Sequence, residues 1–170
     1  SLNLYKINEV FESLQGEGSY TGLPSIFVRL QGCPVGCPWC DTKHTWVVSP
    51  ELNTTSDVVM AETAESGSWF EHTTQQLLDL FNQHGYVAKH IVITGGEPCL
   101  YDLTEITTSL IEKGYSVQIE TSGTYEIMVH CDTWVTVSPK VNMPGGRPVL
   151  KSAMRRAHEI KHPIAMQKHI

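Results

Sequence analysis

Basic residues are scarce in this chain: 12 Lys and Arg stand against 18 Asp and Glu, for a formal net charge of −6. A protein that neutralises many phosphates needs a basic face, so this balance argues against nucleic acid as a direct partner, while a local basic pocket stays open. Long apolar runs are missing too. No stretch approaches the length of a membrane span, and the opening SLNLYKINEV has neither the basic flank nor the apolar core of a signal peptide. The chain therefore reads as cytoplasmic. It has no internal repeat and no low-complexity tract. Cysteine is limited to five, an odd number in clustered spacing and a poor disulfide framework; in a reducing compartment such clusters bind metal or do redox work. What remains is an ordinary globular mix, 41% hydrophobic and 18% charged, in 170 residues: one domain with a real core, too short for two full-sized ones.

Short runs rich in β-branched residues predict strands at 5–11, 25–30, 90–94, 116–121 and 133–138. All but the first are near-continuous apolar runs, the pattern of strands covered on both faces of a parallel sheet. Helices are expected between them. TTQQLLDLFNQHG has Thr73 or Thr74 as cap, Leu77, Leu78 and Phe81 on one face and Gly85 as the stop. DLTEITTSLIEKG repeats the scheme with Asp102, an inner face of Leu103, Ile106, Leu110 and Ile111, and Gly114. A further helix is expected over 149–160. The polar, acidic span 49–72 reads as a long excursion with one helical turn. Alternating strands and helices make an α/β fold of βαβ units. In such folds ligands bind beyond the carboxyl ends of the strands. There the inferred strands lead into the cysteines, GGEP, TSGT and SPK, four chemically loaded loops on one rim.

Cys33, Cys37 and Cys40 are spaced C-x₃-C-x₂-C in a Gly/Pro-rich loop. A structural zinc site needs four protein ligands, and a closed iron–sulfur cluster four thiolates. Cys99 follows a different strand, and Cys131 precedes a third, on the opposite rim. Any one cysteine can be a buried small hydrophobe; three so close are better read as ligands.

A [4Fe–4S] cluster on three cysteines leaves one iron open, and this motif, with Trp39 before its last cysteine, resembles the radical S-adenosylmethionine (SAM) superfamily. There the open iron chelates SAM, and one electron releases a 5′-deoxyadenosyl radical. TGGEP resembles that superfamily's second motif. The resemblance implies that Gly95 and Gly96 let the backbone approach the methionine moiety and that Glu97 accepts from its ammonium. Alone, a Gly pair before Pro is only a turn.

Over FESLQGEGSYTGLPSIFVRLQGC, CDTKHTW, ITGGEP, IETSGT and WVTVSPK the chain resembles the 7-carboxy-7-deazaguanine synthase family. The resemblance covers essentially all 170 residues and implies a single radical SAM domain with a modified partial (βα) barrel. It implies a lyase of queuosine biosynthesis that converts 6-carboxy-5,6,7,8-tetrahydropterin to 7-carboxy-7-deazaguanine with loss of ammonia. SAM, Mg²⁺ and an external one-electron reductant of flavodoxin or ferredoxin type would assist, in a homodimer. The substrate would meet Leu14, Gln15, Gly16, Glu17, Arg29 and Thr94. A guanidinium fork suits a carboxylate or carbonyl, and a Gln amide suits the donor–acceptor edge of a pterin. Mg²⁺ would sit on Thr42, next to Asp41; a hydroxyl, substrate oxygens and waters suit that hard cation. Ser138, Pro139 and Lys140 would face SAM. His44 lies close to the site without an assigned role, and Trp46, Trp69 and Trp134 read as packing or interface residues rather than cofactor stacks. Two other readings stay open: an activase for a glycyl-radical enzyme, and an iron–sulfur electron carrier or zinc module without chemistry of its own. The polar end EIKHPIAMQKHI, in a family that continues with a further strand, carries the expectation of a longer natural polypeptide.

Overall fold

The computed structural model describes residues 3–32, 48, 50–61, 67–139 and 148–161. Among the described residues, seven strands form one mixed sheet in the order β3-β1-β2-β4-β5-β6-β7. β1 (Tyr5–Leu14) pairs antiparallel with β2 (Pro24–Leu30) on one side and with β3 (Phe70–His72) on the other. From β2 onward every pairing is parallel, through β4 (His90–Gly95), β5 (Ser116–Thr121), β6 (Trp134–Val137) and β7 (Glu159–Ile160). This is a mostly parallel, unclosed partial barrel, with β3 and β7 as edges among the described residues.

Alternation along the strands separates two faces. Ile26, Val28, Leu30, Ile91, Ile93, Val117, Ile119, Val135 and Val137 are fully or almost fully buried in one apolar cluster. The helices supply the rest of it. α2 (Thr74–Gln83) begins with a capping box, in which the Thr73 hydroxyl accepts from Gln76 N and the Gln76 amide accepts from Thr73 N. It buries Leu77, Leu78, Leu80 and Phe81. α3 (Thr104–Glu112) buries Ile106 and Leu110 and packs on β5; α4 (Lys151–Arg156) packs on β6 and buries Ala153. Gly85 and Gly114 end α2 and α3 with φ of 66° and 95°, the left-handed backbone expected of such stops.

Two expectations need correction. The helix foreseen over 149–160 ends at Arg156, and Glu159–Ile160 is strand β7 instead. Tertiary pairing decides this: His158 N donates to Val135 O and Lys161 N to Val137 O, both 2.8 Å, so β6 draws the segment into the sheet. The span 49–72 holds more structure than one turn. It carries a 3₁₀ turn at Pro50–Leu52, α1 (Ser56–Ala61) and β3, with Trp69 buried where β3 begins, a packing residue as foreseen. No helix among the described residues is long and apolar enough to cross a membrane.

Candidate functional site

The carboxyl ends of β2, β4, β5 and β6 share one rim because the four strands run parallel and in register. β2 leads through Gln31 to Gly32, at φ 111°, immediately before Cys33. Leu30 lies opposite Gly95 in the parallel ladder, which brings the turn after β4 onto this root of the cysteine loop. Glu97 N donates to Gly32 O at 2.6 Å. A Cβ on Gly96 would stand 2.2 Å from Gly32 O, and one on Gly95 would stand 3.1 Å from Leu30 O. Gly96 is therefore required by a close approach of two protein backbones, independently of any approach to a cofactor, and Gly95 is tightly fitted against the same strand end.

Glu97 turns away from solvent, 1% exposed. Its Oε2 accepts from Thr121 Oγ1 (2.7 Å) and Cys99 N (2.8 Å), and its Oε1 from Ser122 N (2.8 Å) and Ser122 Oγ. Ser122 Oγ also shares a hydrogen bond with Thr124 Oγ1, and Ser138 N donates to Thr121 O at 2.8 Å. One network thus joins GGEP, TSGT and the start of SPK, with Ser138 and Pro139 both buried. Lys140, Cys33, Cys37, Trp39, Cys40, Asp41, Thr42, His44 and Trp46 lie outside the described residues.

The second face of the sheet is polar. Arg29 and Thr94 stand side by side on β2 and β4. The Arg29 guanidinium is held by Glu9 Oε1 (3.2 Å) and Gly95 O (3.2 Å), which ties it to the same turn as Glu97. Farther along this face, the LQGEG loop lies at the other end of the strands. Because β1 is antiparallel to β2, Leu14 pairs with Pro24 at the amino end of the parallel set. Leu14 is exposed; Gln15 is buried and its amide nitrogen donates to Gln118 Oε1 at 3.2 Å. Gly16 has open space where a Cβ would be. Glu17 pairs with Lys161 at 3.1 Å.

Gln15 joins a chain of buried hydrogen bonds across β4 to β7. His90 Nδ1 meets Ser116 Oγ (2.6 Å) and Nε2 meets Gln118 Oε1 (3.0 Å); Gln118 Nε2 donates to Thr136 Oγ1 (3.2 Å), which donates to Glu159 Oε1 (3.1 Å). Glu159 Oε2 accepts from Ser19 N and Oγ, closing the chain on the segment after LQGEG. The Gln118 carbonyl oxygen requires a proton on His90 Nε2, so Nδ1 accepts from the serine. Burial lowers the His90 pKa, against a smaller opposing contribution from the Gln118 bond, in keeping with a neutral ring. Tyr20 stacks on that ring at 4.3 Å. Sequence reasoning missed these residues. Part of the signal was there: Ser116, Gln118 and half-buried Glu120 alternate along β5, while His90 and Thr94 flank Val92 on β4 and Thr136 follows Trp134 by two on β6.

Cys99 is buried and its thiol is pushed up to about 12, first by burial and then by the Glu97 charge, so it is a poor source of thiolate. Cys131 is exposed before β6, at the opposite rim. His130, Cys131 and Asp132 cluster there, but His130 Nδ1 already accepts from Asp132 N, and Arg156 donates to the carbonyls of His130, Cys131 and Thr133. The cluster reads as a tied turn.

A family model for the radical SAM superfamily matches residues 27–163. The chain is 53% identical over 166 residues to the 7-carboxy-7-deazaguanine synthase of Escherichia coli (strain K12), covering 98% of this chain and 74% of that protein. To the protein of the same name from Buchnera aphidicola subsp. Schizaphis graminum it is 47% identical, covering 94% and 71%. The fold superposes on the crystal structure of QueE from Escherichia coli with a TM-score of 0.92 at 51% identity, covering 98% of this chain and 75% of that one.

Proposed function

Because this chain belongs to the radical SAM superfamily and, within it, to the 7-carboxy-7-deazaguanine synthases, we propose that it makes 7-carboxy-7-deazaguanine at the carboxyl rim of its sheet. It is a lyase of the queuosine pathway, and its family works with a [4Fe–4S] cluster and SAM. When bound, these supply one-electron cleavage of SAM and a carbon radical able to abstract hydrogen.

The donor set fits that pair. Cys33 follows Gly32, whose carbonyl the turn after β4 holds on the rim, while Cys99 is too buried and Cys131 stands at the far end. Cys33, Cys37 and Cys40 would hold the cluster, leaving one iron for SAM. The backbone of Gly95 and Gly96, Ser138, Pro139, Lys140 and Trp39 would line the SAM side. The substrate we assign is 6-carboxy-5,6,7,8-tetrahydropterin, losing ammonia. It would lie along the polar face, with Gln15, Gly16 and the Leu14 backbone at one end and Arg29 and Thr94 at the other. Glu17 sits at the loop's outer edge, where its partner Lys161 neutralises it. Thr42 would hold Mg²⁺, a hard cation that would supply positive charge to the oxygens of the substrate. The active form we assign is a homodimer served by a small one-electron carrier protein.

One observation carries this reading: four loops of distinct chemistry meet on one rim through the Gly32, Glu97, Ser122 and Ser138 contacts. The test is an anaerobic assay with carboxytetrahydropterin, SAM, Mg²⁺ and reductant, read by mass spectrometry. The expected products are 7-carboxy-7-deazaguanine and ammonia, with Thr42→Ala losing the stimulation by Mg²⁺ while still binding SAM. Cleavage of SAM without change in the pterin would overturn the substrate assignment. A Thr42→Ala enzyme with full response to Mg²⁺ would overturn the metal site.

A further inference from the structure

An ionised carboxylate is an acceptor only, with about four lone-pair sites on its two oxygens. Glu97 already spends them on four donors, two of them backbone N–H groups. A substrate or cofactor ammonium could bind there only by displacing one of these, and a buried amide left without its acceptor is costly. The side chain is also almost wholly buried, at 1% exposure.

We infer that Glu97 is a positioning residue and makes no contact with SAM. Its carboxylate pins the turn after β4 to the turn after β5 through Thr121 and Ser122. Its own amide grips Gly32 O, one residue before Cys33. The same residue therefore joins the ends of β2, β4 and β5, its backbone amide bonding toward β2 and its carboxylate toward β5. Through Thr121, whose carbonyl takes Ser138 N, it reaches the end of β6 as well. Glu97 fixes where the cysteine loop leaves the sheet relative to the other walls of the site. The inference rests on the reading that Cys33 opens a cluster-binding loop.

Glu97→Gln preserves shape but replaces an acceptor oxygen with an NH₂ donor, which then faces either the Ser122 pair or the Thr121 and Cys99 pair. Ser122→Ala removes one hydroxyl donor and leaves the backbone bond, so it serves as the milder variant. Thermal unfolding of the chain without cluster or SAM should show Glu97→Gln lowering the midpoint on the order of 5–10 °C. Ser122→Ala should lower it less, and the double variant should fall no further than Glu97→Gln alone, the mark of a shared interaction. After anaerobic reconstitution, both single variants should hold less iron per chain than wild type, and the reduced cluster should give a broadened paramagnetic resonance spectrum even before SAM is added. Wild-type midpoint, iron and spectrum in Glu97→Gln, with only the SAM-induced spectral change lost, would make Glu97 a SAM ligand and overturn the proposal. A lowered midpoint with wild-type iron and spectrum would reduce Glu97 to a purely structural residue and overturn the positioning role. A wild-type chain that took up no iron would sink the cluster reading and the positioning role with it, while the thermal cycle would still decide whether the Glu97 tie exists.

Discussion

A methyl group added at Gly16 would meet nothing within 4 Å, whereas the same methyl at Gly96 would run into the carbonyl of Gly32. Gly16 also lies outside the left-handed backbone region. Gly16→Ala should therefore fold as well as wild type or gain about 0.4–1 kcal/mol from a less flexible unfolded chain. Its turnover should nevertheless fall, because the open space above Gly16 is where the pterin is assigned; urea unfolding and the KM for carboxytetrahydropterin test the two halves separately. An unchanged KM would remove Gly16 from the substrate site. Gly96→Ala should behave in the opposite way, losing about 1–3 kcal/mol as crowded backbones shift. The cysteines divide in the same manner. Cys33→Ala, Cys37→Ala or Cys40→Ala should abolish iron binding, since two thiolates cannot hold a cluster with one open iron. Cys99→Ala and Cys131→Ala should retain the iron, and loss of iron from Cys99→Ala would refute the three-ligand assignment.

Strands β4 to β7 owe their inner polar face to side chains that bond one another in a row, and that row has a pH signature. Burial keeps the His90 pKa below its ordinary 6.5, so the folded chain stays deprotonated there in a window just beneath that value where the unfolded chain takes up a proton. Stability from this site is full above 6.5 and is lost as the pH falls through that window. Replacing His90 with Asn should flatten that part of the pH dependence of the thermal midpoint, and an unchanged slope would assign it to other groups. The strands themselves were legible, with Ser116–Thr121 matching the expected span and the others differing by a few residues at their ends. Apolar periodicity was strong there, as it was for α2 with its Thr73 box. β7 was not legible, because two residues that continue a helical composition are turned into a strand only by the neighbouring edge of β6. β3 was hidden for the same reason: three residues in a polar span are recruited by β1.

At the scale of the whole molecule, the meeting of GGEP, TSGT and the start of SPK on one rim was legible because each loop follows a strongly apolar strand, while the cross-strand polar row was not. His90, Gln118, Thr136 and Glu159 lie far apart in sequence, and each looks like an isolated polar residue until strand pairing aligns them. The position of LQGEG at the far end of the strands follows from the antiparallel β1–β2 pairing, which composition does not encode. The sheet order has a further consequence, in time. β2 has β1 as an immediate neighbour in the chain, but its other partner, β4, is reached only after residues 31–89. Pairing across so long a separation is slow to nucleate, because the intervening chain must first be ordered. Until then the segment leading to Cys33 hangs from the β1–β2 hairpin, edged only by the three-residue β3, and so small a sheet is marginal by itself in water. The anchor between Glu97 N and Gly32 O is thus expected late in refolding, although Gly32 adjoins a hairpin of sequence neighbours. Pulsed hydrogen exchange during refolding should find the β1–β2 amides protected before that of Glu97, and simultaneous protection would show that β4 joins in the first step. A newly made chain therefore presents its three clustered thiols before it has built the ground they stand on.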